Sequence, residues 1–115
     1  MFSDDERVRE WIGHIIENAD KALSYVARLR YETWLADSLR VDAVERCLMR
    51  ITEAAIRIGD ERMSQIAPDL VFHQVRGLGN MLRHQYDALD MEQLWRTVTE
   101  ALPPLREACA WALGK

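Results

Sequence analysis

Val75-Arg76-Gly77-Leu78-Gly79-Asn80-Met81-Leu82-Arg83-His84-Gln85-Tyr86-Asp87-Ala88-Leu89-Asp90 is the stretch whose reading decides the fold. It carries two stripes at helical spacing. Val75, Leu78, Leu82, Tyr86 and Leu89, continued upstream by Val71, recur at three- and four-residue steps, the period of an amphipathic helix. Arg76, Asn80, Arg83, His84 and Asp87 fall on a second, polar face of the same helix. From Val71 to Tyr86 there is no acidic residue. The spacing predicts a helix from Pro68 or Asp69 to about Asp87.

Outward from this helix the pattern repeats. Val8, Trp11, Ile12, Ile15, Ile16, Ala19, Leu23 and Val26 predict a helix over Ser3 to Arg30, with Ser3 and Glu6 at capping-box spacing. Tyr31 to Leu35 reads as a bend or short helix. Asp37 or Ser38 caps a further helix whose apolar face is Val41, Val44, Cys47, Leu48, Ile51, Ala54, Ala55 and Ile58, and Gly59 stops it. Glu61 to Asp69 is the least regular stretch. Asp90 caps a last helix with Leu94, Trp95, Val98, Leu102, Leu105, Cys109 and Leu113 on its buried side, and Pro103-Pro104 kinks or splits it. No strand alternation, repeat or low-complexity segment occurs. The expected architecture is all-α, an antiparallel bundle of four to five helices in a single domain over 1–115.

Composition narrows the function classes. The chain has 115 residues, a net charge of −4 and 49% apolar residues. The balance excludes an overall basic nucleic-acid binder but not a local basic patch. Asp4, Asp5, Glu6, Glu10, Glu17 and Asp20 crowd the first twenty residues, against Arg7 and Arg9. Cys47 and Cys109 have no CxxC or Cys/His spacing and read as reduced, buried thiols. No metal motif, Gly-rich phosphate loop or nucleophile elbow is present, so no cofactor and no metal is expected. The acidic N-terminus is unlike a signal peptide, and no apolar run reaches membrane-span length. A cytoplasmic location follows as the expectation. A chain this small, with four tryptophans, is expected to bury some of its apolar surface in a two-fold dimer.

The polar face of the third long helix has the parts for cutting RNA without a metal. Arg76 and Arg83 supply planar guanidinium forks for phosphate. His84 has the one side chain whose ordinary pKa suits proton transfer near neutrality. Asn80 can orient either. The alternative is an ordinary solvated face, which any amphipathic helix shows. Tyr86 falls on the apolar stripe, where a core tyrosine and an accessible one are both compatible with its spacing. His14 and His73 have no partner at ligand spacing and read as surface or interface residues.

The run from Val75 to Asp90 resembles the signature of the HepT-like group of the HEPN superfamily. Leu94-Trp95 followed by Ala101-Leu102-Pro103 resembles its "VW…LP" segment, and Arg50-Ile51-Thr52-Glu53-Ala54-Ala55 resembles its "IGEAA"-like second helix. The resemblance implies a dimeric helical bundle with the polar motif near the dimer cleft. It implies a ribonuclease toxin of a two-gene toxin–antitoxin system, with RNA as substrate. The implied partner is an MntA-like minimal nucleotidyltransferase that silences the toxin by adding AMP to a tyrosine. Carried onto this chain, His84 is the catalytic histidine, Tyr86 the modified tyrosine and Asn80 the polar residue after the family's arginine. The family pattern Arg-Asn-x-x-x-His-x-Tyr departs here at its first position, which is Gly79. Arg83 or Arg76 is the candidate replacement for the lost cation. A non-catalytic module that presents substrate or an acceptor tyrosine to a nucleotidyltransferase is the second expectation. No membrane and no DNA partner is expected.

Overall fold

A computed structural model describes residues 4–67, 69–84 and 90–114. All regular structure among them is helical: α1 Asp4–Val26, α2 Tyr31–Leu35, α3 Ser38–Ile58, α4 Asp60–Ile66, α5 Asp69–His84, α6 Met91–Arg96, a π-helical turn Thr97–Ala101 and α7 Leu102–Gly114. Three long helices and the continuous rod formed by α6, the π turn and α7 make the bundle, and α2 and α4 are short connectors. The all-α expectation holds.

Local chemistry sets the boundaries. The Asp37 carboxylate accepts from the Arg40 N–H at 3.2 Å and caps α3. Asp90 does the same for α6, accepting from Glu92 N–H at 3.0 Å and Gln93 N–H at 3.3 Å. Gly59, at φ +94°, ends α3 in a conformation that a side chain would strain, and its carbonyl accepts from Met63 N–H as α4 begins. The irregular stretch expected after Gly59 is therefore a helix over most of its length. Asp60 and Glu61 favour its positive N-terminal end, and the fully buried Met63 anchors it.

The prolines act as expected but with a defined result. Pro103 and Pro104 have no N–H to give to the preceding turn. The ladder widens by one residue before them, so that Leu102 N–H donates to Thr97 O, and the rod continues as α7 without a break in helical conformation.

The core is one contiguous cluster drawn from every helix. Ile15, Leu48, Ile51, Leu78, Leu94, Val98, Leu102 and Leu105 are sealed from solvent. α1 packs chiefly on α3, and α5 packs on α3 and on the π turn. Trp34 is fully buried and forms an aromatic cluster with Tyr31 and Trp95, at ring centroid distances of 6.2 and 5.3 Å. The YETWL segment and the Leu94-Trp95 segment thus pack on each other. Trp11 and Trp95 are half-buried, while Trp111 is 68% exposed. Cys47 and Cys109 are buried free thiols, as expected. Burial pushes both thiols up, Cys109 to about 12. Among the described residues no helix is long and apolar enough to cross a membrane.

Candidate functional site

α5 carries the site, and its orientation follows from its buried face. Phe72, Val75, Leu78 and Leu82 turn into the core, which leaves His73, Gly77 and Asn80 exposed on the other side. Arg76 and Asn80 share that outer face one turn apart. The Asn80 side chain is open to solvent. The Arg76 guanidinium is engaged. It ion-pairs with Asp60 at the start of α4 and lies over the Phe72 ring at 5.9 Å. Arg83 and His84 form the last residues of α5, placed one helical turn beyond Asn80. Their side chains, and Tyr86 and Asp87 altogether, lie outside the described residues.

Gly79 has a structural cause. It is buried, and it faces α3 rather than the polar side. A Cβ built there would stand 1.7 Å from Thr52 Oγ1, 2.7 Å from Thr52 Cβ and 3.0 Å from Thr52 Cγ2. The two helices meet at this point with no room for a side chain at position 79. Thr52 is itself fully buried, and its hydroxyl has no hydrogen-bond partner among the described residues. In the segment that resembles IGEAA, Thr52 stands at the glycine. The Arg50–Ala55 segment and the Val75–Asp90 run, both of which resemble the family, thus meet at Thr52 and Gly79.

One residue was passed over in the sequence. Glu45 lies within the apolar stripe of α3 between Val41, Val44 and Leu48, and it is buried. The Thr52–Gly79 contact and the Asp60–Arg76 ion pair together make α3 and α5 antiparallel. Glu45 therefore lies toward the end of α3 that flanks the C-terminal end of α5. An acid inside an apolar stripe was the available signal, because a carboxylate is buried only where partners meet it.

Among the described residues no cluster of three or more His, Cys, Asp or Glu could hold a metal ion. A recess of about 290 Å³ opens beside α5, lined by Gln74, Gln93, Arg96, Thr97 and Glu100, and α1 and α3 enclose a separate basic groove.

Comparisons with known proteins point to one family. The family model described as "Ribonuclease HepT-like" matches residues 15–110, which include α5 and all of the segments that resemble the family. The chain is 25% identical over 100 residues to "Putative RNase MJ1216" of Methanocaldococcus jannaschii, covering 87% of this chain and 82% of that one. It is 26% identical over 100 residues to "Putative RNase MJ1380" of the same organism, covering 87% and 91%. It is 26% identical over 98 residues to "Probable ribonuclease HepT" of Thermococcus cleftensis, covering 85% and 88%. No solved structure matches. The breadth of the family match, with a bundle that presents the motif on α5, establishes that the chain belongs to the ribonuclease HepT-like family.

Proposed function

We propose that the chain is a metal-independent endoribonuclease, the toxin of a two-gene toxin–antitoxin pair. The family match across residues 15–110 is the observation that carries this reading. A base on the enzyme takes the proton from a ribose 2′-hydroxyl, and that oxygen attacks the adjacent phosphorus. The P–O5′ bond breaks, leaving a 2′,3′-cyclic phosphate and a 5′-hydroxyl. His84 is the acid/base, Arg83 or Arg76 binds the phosphate, and Asn80 orients the reacting groups. Two subunits pair about the α5 faces. Apolar side chains left in solvent, Leu39 at 81% and Trp111 at 68% exposed, are consistent with further burial against a second chain.

In this reading an MntA-like nucleotidyltransferase silences the enzyme by adding AMP to Tyr86. The adduct would set a bulky anion beside Arg83 and His84 and block substrate by charge and volume. Incubation of total RNA with the purified protein in EDTA tests the activity: wild type should cleave and His84→Ala should not. Mass spectrometry after co-expression with the nucleotidyltransferase should find the adduct on Tyr86.

A second reading has its own support. Gly79 and Thr52 close the position at which the family carries arginine, and Arg76 is tied to Asp60. Both favour a non-catalytic module that binds RNA or presents Tyr86 to its partner enzyme. Intact RNA after incubation with a folded, dimeric protein would select it.

A further inference from the structure

Among the described residues Glu45 is the one buried carboxylate, 7% exposed, and the proposed reaction leaves it without a role. Val44 and Leu48, both sealed from solvent, flank it on α3. A carboxylate in such surroundings is held by a partner, and Glu45 is engaged. Its own helix offers no cation one turn away, where Val41, Asp42, Leu48 and Met49 stand. Arg46 and Arg50 lie on another face of α3, with Met49 and Glu53. Arg40, nearer the start of the helix, is tied to Asp37 and to the Tyr25 carbonyl.

The register of α3 against α5 brings a different cation to its level. Gly79 meets Thr52, and the two helices run antiparallel. Glu45 precedes Thr52 by two helical turns and shares its face, about 10 Å along the axis toward the start of α3. Arg83 follows Gly79 by one turn on the face that meets α3, about 6 Å along the same direction. Positions 45 and 83 therefore face each other across the helix pair with an axial offset of about 4 Å, which a glutamate and an arginine together span. Arg76 lies about 15 Å from the level of Glu45 along that axis and has its own acid in Asp60. His84 continues the outer face of Asn80 instead.

We infer that Glu45 is a positioning residue of the ribonuclease site, pairing with Arg83 so that its guanidinium is held at the end of α5 with its remaining N–H groups open to phosphate. A guanidinium carries five N–H donors, of which a carboxylate takes two in a fork, so that three stay for a phosphate. The pair selects Arg83 over Arg76 as the phosphate ligand. An Arg83 without Glu45 keeps its charge near the substrate but loses its geometry, so the cost falls on the chemical step more than on binding. The inference rests on the ribonuclease reading for its reaction, but the pair itself has a readout that needs no cleavage.

The test is a double-mutant cycle of Glu45→Gln and Arg83→Ala, read by thermal melts at neutral pH and by cleavage of a labelled RNA. Arg83→Ala strands a buried carboxylate and should lower Tm by roughly 10 °C. Adding Glu45→Gln, which keeps the volume and removes the charge, should recover most of that loss. An unfolded single variant beside a folded double variant is the same recovery. In cleavage, Glu45→Gln alone should lower kcat at least about tenfold with KM within about twofold, and it should lower nothing further in the Arg83→Ala protein. Losses of Tm that simply add overturn the pair. So does recovery found only when His84→Ala replaces Arg83→Ala in the cycle, which would assign the carboxylate to the histidine. If Tm recovers but Glu45→Gln cleaves as the wild type does, the pair is structural and the positioning role is overturned, while the ribonuclease reading stands. A wild type that cleaves nothing overturns that reading and the positioning role with it, and the Tm cycle then decides the pair alone.

Discussion

Gly79→Ala should destabilise the protein, although alanine is the better helix former. In an exposed helix the exchange gains about 1 kcal/mol. Here the new Cβ meets Thr52 Oγ1 at 1.7 Å and Thr52 Cβ at 2.7 Å. Rotating Thr52 about χ1 moves the hydroxyl away but leaves its Cβ where it is. Reaching ordinary contact at 3.4 Å then takes a separation of α3 and α5 of about 0.7 Å, in a core with no slack. Overpacking of this kind costs roughly 1–3 kcal/mol, occasionally more. With the helix gain offset against it, the expected net loss is about 1 kcal/mol, or roughly 4 °C in Tm for a domain of this size. Thr52→Ala should rescue little, because its Cβ remains. Thr52→Gly in the same chain should restore the packing, with a favourable coupling of at least about 1 kcal/mol in a double-mutant cycle. Urea unfolding of the four proteins is the assay. Gly79→Ala at or above wild-type stability would refute the close approach. It follows that Gly79→Arg by itself tests packing rather than catalysis, and that reinstating the family's arginine requires Thr52→Gly beside it.

The ion pair of Arg76 with Asp60 is largely exposed on the Asp60 side, so Asp60→Asn should change stability by less than about 1 kcal/mol; if Arg76 is the phosphate ligand, the same change should leave cleavage intact or raise it, while Arg76→Ala lowers it by roughly two orders of magnitude. The Cys109 thiol stays protonated to about pH 12 in the fold, whereas an unfolded thiol titrates at its ordinary 9.0. Stability is therefore full below pH 9 and declines as pH rises from there toward 12, by up to about 1.4 kcal/mol per pH unit, and a thiol reagent should label Cys109 only after denaturation. Asp90→Ala removes the acceptor for two α6 N–H groups and should cost about 1 kcal/mol by thermal melt.

Much of this fold was legible because its signals are local and periodic. Asp37, Gly59 and Asp90 each act through groups within four residues of themselves, and they mark the ends of α3 and the start of α6 as read. Helix α4 was missed because seven residues are too few to display a period; its anchor, Met63, is recognisable only once a core exists to bury it. The π turn was legible only as a disturbance, since the prolines announce missing donors but not how the ladder adjusts. In the candidate site, Arg76 and Asn80 do share a face, as their spacing requires. What spacing could not reveal was every interaction across helices. The Asp60 partner of Arg76 and the Thr52 that excludes a side chain at position 79 both join residues remote in sequence. Gly79 reads as a lost cation when α5 is considered alone and as a helix contact when α3 is placed against it.

The central claim is that this chain cuts RNA by 2′-hydroxyl attack with His84 as acid/base. The most direct measurement is cleavage of a defined labelled RNA in EDTA, with the product ends identified by mass spectrometry. The wild type should leave 2′,3′-cyclic phosphate and 5′-hydroxyl ends, cleavage should stop where a single 2′-deoxy residue replaces the attacking ribose, and a folded His84→Ala protein should lose at least about two orders of magnitude in rate. Cleavage that persists at the 2′-deoxy position, or that survives His84→Ala unchanged, would contradict it.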